Sequence, residues 1–149
     1  MTKTARAAAM DLLAIREHST QELHHKLSRR GFDQNEIDTA LAALEQENLL
    51  SNARYAEAYI TARMEKGMGP VRIQAELRER GVDDELIQRY LEPRDSLWDR
   101  QAERVRRKKF GARRPADFQA RSRQARFLNY RGFTSEQIRQ VLDTEPEIL

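Results

Sequence analysis

The chain has no cysteine, which excludes a disulfide framework and any thiolate metal site and fits a reducing compartment. It has only four prolines and six glycines in 149 residues, with 39% hydrophobic and 34% charged residues. That balance suits helices that are apolar on one side, and a strand-rich fold would need more Val, Ile and Thr. No stretch approaches the roughly 20 apolar residues of a membrane span. The alanine-rich start, Met1 to Met10, also lacks the apolar run of a secretory leader. A cytosolic protein is expected.

Signs of catalysis are also missing. The histidines are His18, His24 and His25. Two adjacent histidines on a helix point roughly 100° apart and cannot hold one ion as an i,i+4 pair would. There is no phosphate-cradling glycine loop, nucleophile elbow or metal-ligand spacing. Carboxylates such as Glu45, Glu47 and Asp83 to Glu85 gather at helix starts and turns, where capping and solvation account for them. A non-enzyme without metal or cofactor is expected, one that works by binding.

What the chain does have is a repeat. Leu27-Ser-Arg-Arg-Gly31-Phe32, Leu77-Arg-Glu-Arg-Gly81-Val82 and Leu128-Asn-Tyr-Arg-Gly132-Phe133 align on a glycine preceded by Arg. Ile37, Ile87 and Ile138 follow it at one spacing, and Leu41, Leu91 and Leu142 come four residues later, as on a short amphipathic helix. The glycine reads as a left-handed residue just past a helix end. Asp33, Asp83 and Thr134 then cap the next helix, with Glu36 and Gln137 completing capping boxes. Upstream, Ser19 with Glu22 and Gly69 with Pro70 start the preceding helix. Leu23, Leu27, Ile73 and Leu77 line its buried stripe. The third copy has Gln124 where the others have Leu23 and Ile73, and its apolar face shifts to Phe118, Ala125, Phe127 and Leu128.

A longer helix precedes each pair. The first runs near Thr4 to Glu17 with Ala5, Ala8, Leu12 and Ile15 on one face. The second follows Asn52 and carries Tyr55, Tyr59 and Ala62, and the third begins near Ser96 with Trp98, Ala102 and Val105. Pro93 stops the last helix of the second copy. The reading is an all-α chain of three tandem three-helix repeats, helix-turn-helix-like units over residues 1–50, 51–94 and 95–143, with a frayed tail at 144–149. Each triplet is too small to bury much surface alone, so an elongated, curved arrangement is expected.

Net charge is only +3, but it is polarised. From Arg100 to Arg131 there are twelve Arg or Lys against two acids, leaving fifteen bases against twenty-two acids elsewhere. Arg104, Arg106, Arg107, Lys108 and Lys109 cannot share one helix face. With Arg113 and Arg114 they form an expected collar of positive charge that calls for an anionic partner. Contact with phosphates by such a collar would be independent of base sequence. Tyr55, Tyr59, Trp98, Phe110 and Tyr130 could stack on bases, although the i,i+4 spacing of Tyr55 and Tyr59 favours packing.

The run Leu49-Leu50-Ser51-Asn52-Ala53-Arg54-Tyr55-Ala56, with Tyr59, Arg63, Gly67, Gly69-Pro70, Arg72-Ile73, Glu76-Leu77 and Arg80-Gly81-Val82, resembles the central signature of the RecX family. Phe127-Leu128 with Arg131-Gly132-Phe133 resembles its carboxyl-terminal signature, and Ser19 with Glu22-Leu23 and Lys26-Leu27 its amino-terminal one. Ser51 stands where the family often has Asp, and Met68 where an aromatic is common. The resemblance implies tandem three-helix repeats that bind the filament of the RecA recombinase on single-stranded DNA. It further implies inhibition of strand exchange and ATP hydrolysis, limits on recombination and the SOS response, and in some members DNA binding. On that reading the basic end meets DNA or an acidic RecA surface, Arg54, Arg63 and Arg72 meet protein, and the chain is a monomer with no membrane partner.

Two other readings compete. A stand-alone helix-turn-helix DNA-binding regulator would aim Arg, Asn or Gln at base edges. Gln34-Asn35 and Gln137-Arg139 are the suggestive groups, while the second copy offers Asp84-Glu85, which phosphates repel. An inert scaffold explains the repeat but not the charge.

Overall fold

A computed structural model describes residues 3–143. The expected frayed tail lies outside the described residues. Among these there are nine α-helices and no strand: α1 Ala5–Ile15, α2 Thr20–Arg29, α3 Gln34–Gln46, α4 Asn52–Glu65, α5 Pro70–Glu79, α6 Asp84–Tyr90, α7 Leu97–Phe110, α8 Phe118–Arg131 and α9 Ser135–Asp143. The all-α class and the tandem triplets agree with the expectation.

Local chemistry sets the helix ends. Ser19 and Glu22 form a complete capping box at α2. At α9 the Gln137 N–H donates to the Thr134 hydroxyl (3.1 Å) and the Thr134 N–H to the Gln137 side chain (2.9 Å). The third expected box does not close. Asp33 accepts from Asn35, but the Glu36 carboxylate is taken by the Ala5 N–H at 2.7 Å, where it satisfies a free donor at the start of α1. The helix expected to follow Asn52 starts at that residue, and Ser51 caps it by accepting from the Arg54 N–H at 3.1 Å. The last helix of the second copy ends at Tyr90, three residues before Pro93, which disfavours the helical region for Glu92.

Gly31, Gly81 and Gly132 have φ of +90°, +83° and +100°. In each copy the residue after glycine donates to the Leu carbonyl five back: Phe32 to Leu27 (3.3 Å), Val82 to Leu77 (3.0 Å) and Phe133 to Leu128 (3.2 Å). This is the hydrogen bond of a Schellman turn. The leucines Leu27, Leu77 and Leu128 are fully buried, and the following Ile and Leu positions are buried in all three copies.

The turns also seat other helices. The Ser19 hydroxyl at the start of α2 donates to the Arg80 carbonyl (2.7 Å), and the Gln21 amide donates to Glu79 (2.8 Å). At the start of α5 the Gly69 N–H donates to the Arg131 carbonyl (2.7 Å) and the Val71 N–H to Gly132 (2.8 Å). A triplet's second helix thus begins on the glycine turn of the following triplet. Accordingly the chain divides into two compact units that both draw on the middle triplet. One holds the chain through Tyr59 with Leu77–Tyr90, and the other holds Ile60–Glu76 with the chain from Leu91 onward.

Several face assignments are corrected. Ile15 is 80% exposed, because α1 ends there and buries Ala5, Ala8 and Ala9 instead. Ala62 is exposed while Ala56 and Ile60 are buried. Phe118, at the first turn of α8, is 81% exposed.

Candidate anion-binding cleft

Helical geometry divides the expected collar into three parts. Arg104 and Lys108, one turn apart on α7, share a face with the neighbouring Lys109, and all three line a cleft of about 300 Å³. Lys66 and Gly67 after α4, with Phe127 and Arg131 of α8, complete its wall, and Glu65 lies at its edge. The cleft thus gathers five cations and one carboxylate. None of the five has a carboxylate within ion-pair distance among the described residues.

The two arginines are held by the end of α4. Arg104 donates to the Met64 carbonyl at 3.3 Å and to the Gln101 side chain at 2.8 and 3.1 Å. Arg131 donates to the Lys66 carbonyl at 2.9 Å, and its guanidinium lies 4.8 Å from the Phe127 ring centroid. Cations at the negative end of a helix are favoured. Phe127 itself is held edge-on by Phe110 at 5.3 Å, and Lys109 stands 5.8 Å from its centroid. Gly67 matters here, since a Cβ at that position would come within 2.9 Å of Arg131 Nη1.

The second part of the collar, Arg106, Arg107 and Arg114, is gathered on Glu103, and of the three Arg107 is exposed. Arg106 is fully buried. Its guanidinium donates to Glu103 at 2.8 and 3.1 Å, to the Arg113 carbonyl at 3.1 Å, and to Gly111, Ala112 and Gln124 at 3.4 Å. The loop after α7 wraps this charge, and five donors in a planar fork are what allow one side chain to satisfy so many acceptors. The contact with Arg106 also accounts for Gln124, which replaces a buried aliphatic of the other copies. Arg114 donates to Glu103 (3.0 Å) and to the Val141 carbonyl (2.9 Å) and is mostly buried. Arg107 pairs with Glu103 at 2.8 Å. Burial alone would raise the Glu103 pKa, but hydrogen bonds from Arg106, Arg107 and Arg114 outweigh it and hold the group at about 2. The third part, Arg113, is exposed in the loop.

Of the three arginines expected to meet protein, Arg63 and Arg72 are engaged inside the fold. Arg63 makes two 3.0 Å bonds to Glu76. Arg72 approaches Glu76 at 3.5 Å, donates to the Tyr130 carbonyl at 3.2 Å and lies over the Tyr130 ring. Arg54 is exposed and pairs with Glu17 at 3.0 Å. Gln137, needed at the surface by the helix-turn-helix regulator, is buried in its capping box and donates to the Pro93 carbonyl at 2.6 Å. His18 is buried, with Nδ1 3.0 Å from the Arg16 carbonyl and Nε2 2.8 Å from Lys26 Nζ. Burial chiefly lowers its pKa, which keeps the ring neutral. No group of His, Asp or Glu capable of holding a metal occurs among the described residues, and no described helix is long and apolar enough to cross a membrane.

Sequence reading missed Lys66, Phe127 and Arg131 as partners of the α7 cations. One signal was available: Arg131 is the arginine before the repeat glycine, in the same position as Arg80, whose guanidinium lies over Tyr59 at 4.9 Å.

The fold and cleft define a class: a tandem three-helix-repeat protein with a concentrated cationic recess. Family models match in chain order at residues 5–44 (RecX, first three-helix domain), 51–91 (second) and 99–142 (third). The chain belongs to the RecX family. It is 48% identical over 138 residues to Regulatory protein RecX of Halorhodospira halophila, covering 93% of this chain and 86% of that one. It is 45% identical over 137 residues to the protein of that name in Pseudomonas entomophila, covering 92% and 88%. Among solved structures, RecX from Lactobacillus salivarius shares the fold with a TM-score of 0.76 at 19% identity, over 93% of this chain and 94% of that one.

Proposed function

We propose that this chain is a non-catalytic regulator that binds the filament RecA forms on single-stranded DNA and lowers its ATPase and recombinase activity, limiting recombination and the SOS response. The observation that carries this reading is the ordered match to all three RecX domains over nearly the whole chain. Repeats suit such a partner. Several weak patches meeting several subunits of one polymer gain avidity without a deep pocket. The cleft and the exposed Arg113 meet the anionic part of the filament. Arg54 is the middle-triplet arginine assigned to protein contact, since Arg63 and Arg72 are engaged in holding α4, α5 and α8 together.

The test is RecA-catalysed ATP hydrolysis on single-stranded DNA, titrated with the purified chain. Hydrolysis is expected to fall in proportion to added protein. A rate unchanged at saturating protein would remove the reading.

A further inference from the structure

We propose that the start of α8 in one copy of this chain seats on the Gly31 turn of a second copy, so that chains associate head to tail. The two surfaces lie outside the cationic cleft. They extend an interface that the chain already makes twice within itself.

Two of the three glycine turns are occupied. The Gly81 turn takes the start of α2, where Ser19 donates to the Arg80 carbonyl and Gln21 to the Glu79 carbonyl. The Gly132 turn takes the start of α5, where the Gly69 and Val71 N–H groups donate to the Arg131 and Gly132 carbonyls. In both cases the occupant is the second helix of the preceding triplet. The Gly31 turn, in the first triplet, stands open: Arg29, Arg30 and Gly31 are exposed. A Cβ at Gly31 would meet nothing within 4 Å, whereas at Gly81 it would run into Gln21 and at Gly132 into Arg72.

The occupant that matches is the second helix of a third triplet. Counted from its cap, α8 opens as α2 does, with Gln119 two residues after Asp117 as Gln21 is two after Ser19. Relative to its glycine, α8 also starts about one turn earlier than α2 and α5. That turn carries Gln119 and Phe118 into solvent, the latter 81% exposed. The outer face of a terminal repeat is polar when it meets only water. A bare phenylalanine beside an exposed amide is instead the surface of a contact.

The chemistry of the two surfaces is complementary. Arg80 and Arg131, the arginines before the occupied glycines, lie over the rings of Tyr59 and Phe127. Arg30, their counterpart, has no ring against it among the described residues, and Phe118 of a second copy supplies one. Among the same residues Arg30 has no carboxylate within ion-pair distance, and Asp117 at the start of α8 has no cation. Because the surfaces are unlike and belong to different triplets, the contact is heterologous and can repeat from copy to copy. One helix start on one turn covers much less area than a stable interface, so the contact is weak and the dilute chain is a monomer. A polymer that holds copies side by side would raise their effective concentration and load them cooperatively. That consequence rests on the regulatory reading; the contact itself does not.

The test uses the full chain without RecA and exploits its lack of cysteine. Arg29→Cys and Ala116→Cys, both at exposed positions, put one thiol beside the seat and another just before α8. Mixed at up to about 1 mM, the weak end of specific association, the two variants should be joined by a short bis-maleimide into a dimer with one of each. Neither variant alone should dimerise. Adding Phe118→Asp to the Ala116→Cys chain, with helicity checked, should lower the yield about tenfold or more. Gln119→Ala, which changes one exposed side chain, should lower it in the same direction and serves if the first variant misfolds. No mixed dimer at the highest concentration would overturn the assignment. So would dimers of each variant alone as abundant as in the mixture, the sign of a two-fold contact, or a yield that neither substitution lowers. Inhibition of RecA hydrolysis is measured separately: an inactive wild type that still forms the mixed dimer removes the regulatory reading alone.

Discussion

Gly31, Gly81 and Gly132 share one place in the repeat and one left-handed backbone, yet they differ in surroundings. A Cβ at Gly132 would run into Arg72 and one at Gly81 into Gln21, while at Gly31 nothing lies within 4 Å. Gly31→Ala should therefore cost only the left-handed strain, about 1 kcal/mol. Gly132→Ala adds a forced displacement of packed atoms and should cost about 3 kcal/mol in all. Urea unfolding midpoints would separate the two. The glycine positions and their conformation were legible because they depend on local chain geometry. The collision partners were not, since they lie in other triplets.

Glu103 is paired with three arginines at once. Its folded pKa of about 2 lies below its ordinary 4.5, so the folded state favours the ionised form. Its contribution is full above the ordinary value and is lost as pH falls from 4.5 toward 2. Glu103→Gln should flatten the dependence of Tm on pH in that window. It should also lower stability at neutral pH by about 3–5 kcal/mol, because Arg106 is left buried without its counter-charge. An equally steep pH dependence in the variant would contradict this. The burial of Arg106 could not be read from the sequence, where it is one of six basic residues between positions 104 and 113. What selects it is the loop at Gly111 to Arg113, which turns its carbonyls onto that side chain.

At the scale of elements, helix starts and stops were the most legible feature, since a cap is written in three or four consecutive residues. Ser19 with Glu22 and Thr134 with Gln137 behave as their spacing implies. Asp33 with Glu36 has the same pattern, but Glu36 is drawn to the Ala5 N–H, a donor that no local pattern reveals. Thr134→Ala should cost about 1 kcal/mol. Ser19→Ala should cost about 2 kcal/mol, because Ser19 also donates to the Arg80 carbonyl and its loss leaves a part-buried acceptor unsatisfied. Thermal or urea unfolding of the two variants side by side checks the order, and an equal loss would show that the Arg80 contact contributes nothing.

At the scale of the molecule, the charge polarity seen along the chain indicated the right region but not every member of the cleft. Three of its cations come from α7, and these are the ones a run of basic residues advertises. Arg131 ends the same basic stretch but on α8, and Lys66 stands apart in sequence and joins them because the start of α5 is seated on the turn after α8. On the proposed function, repeated triplets with this cationic recess recognise a filament rather than a small substrate. Sedimentation of preformed RecA filaments on single-stranded DNA, with this chain added over a range of salt, decides whether it does. The chain should pellet with the filaments, with affinity falling as salt rises and weakened by the Lys66→Glu, Lys108→Glu pair. A chain that stays in the supernatant at low salt would contradict the account.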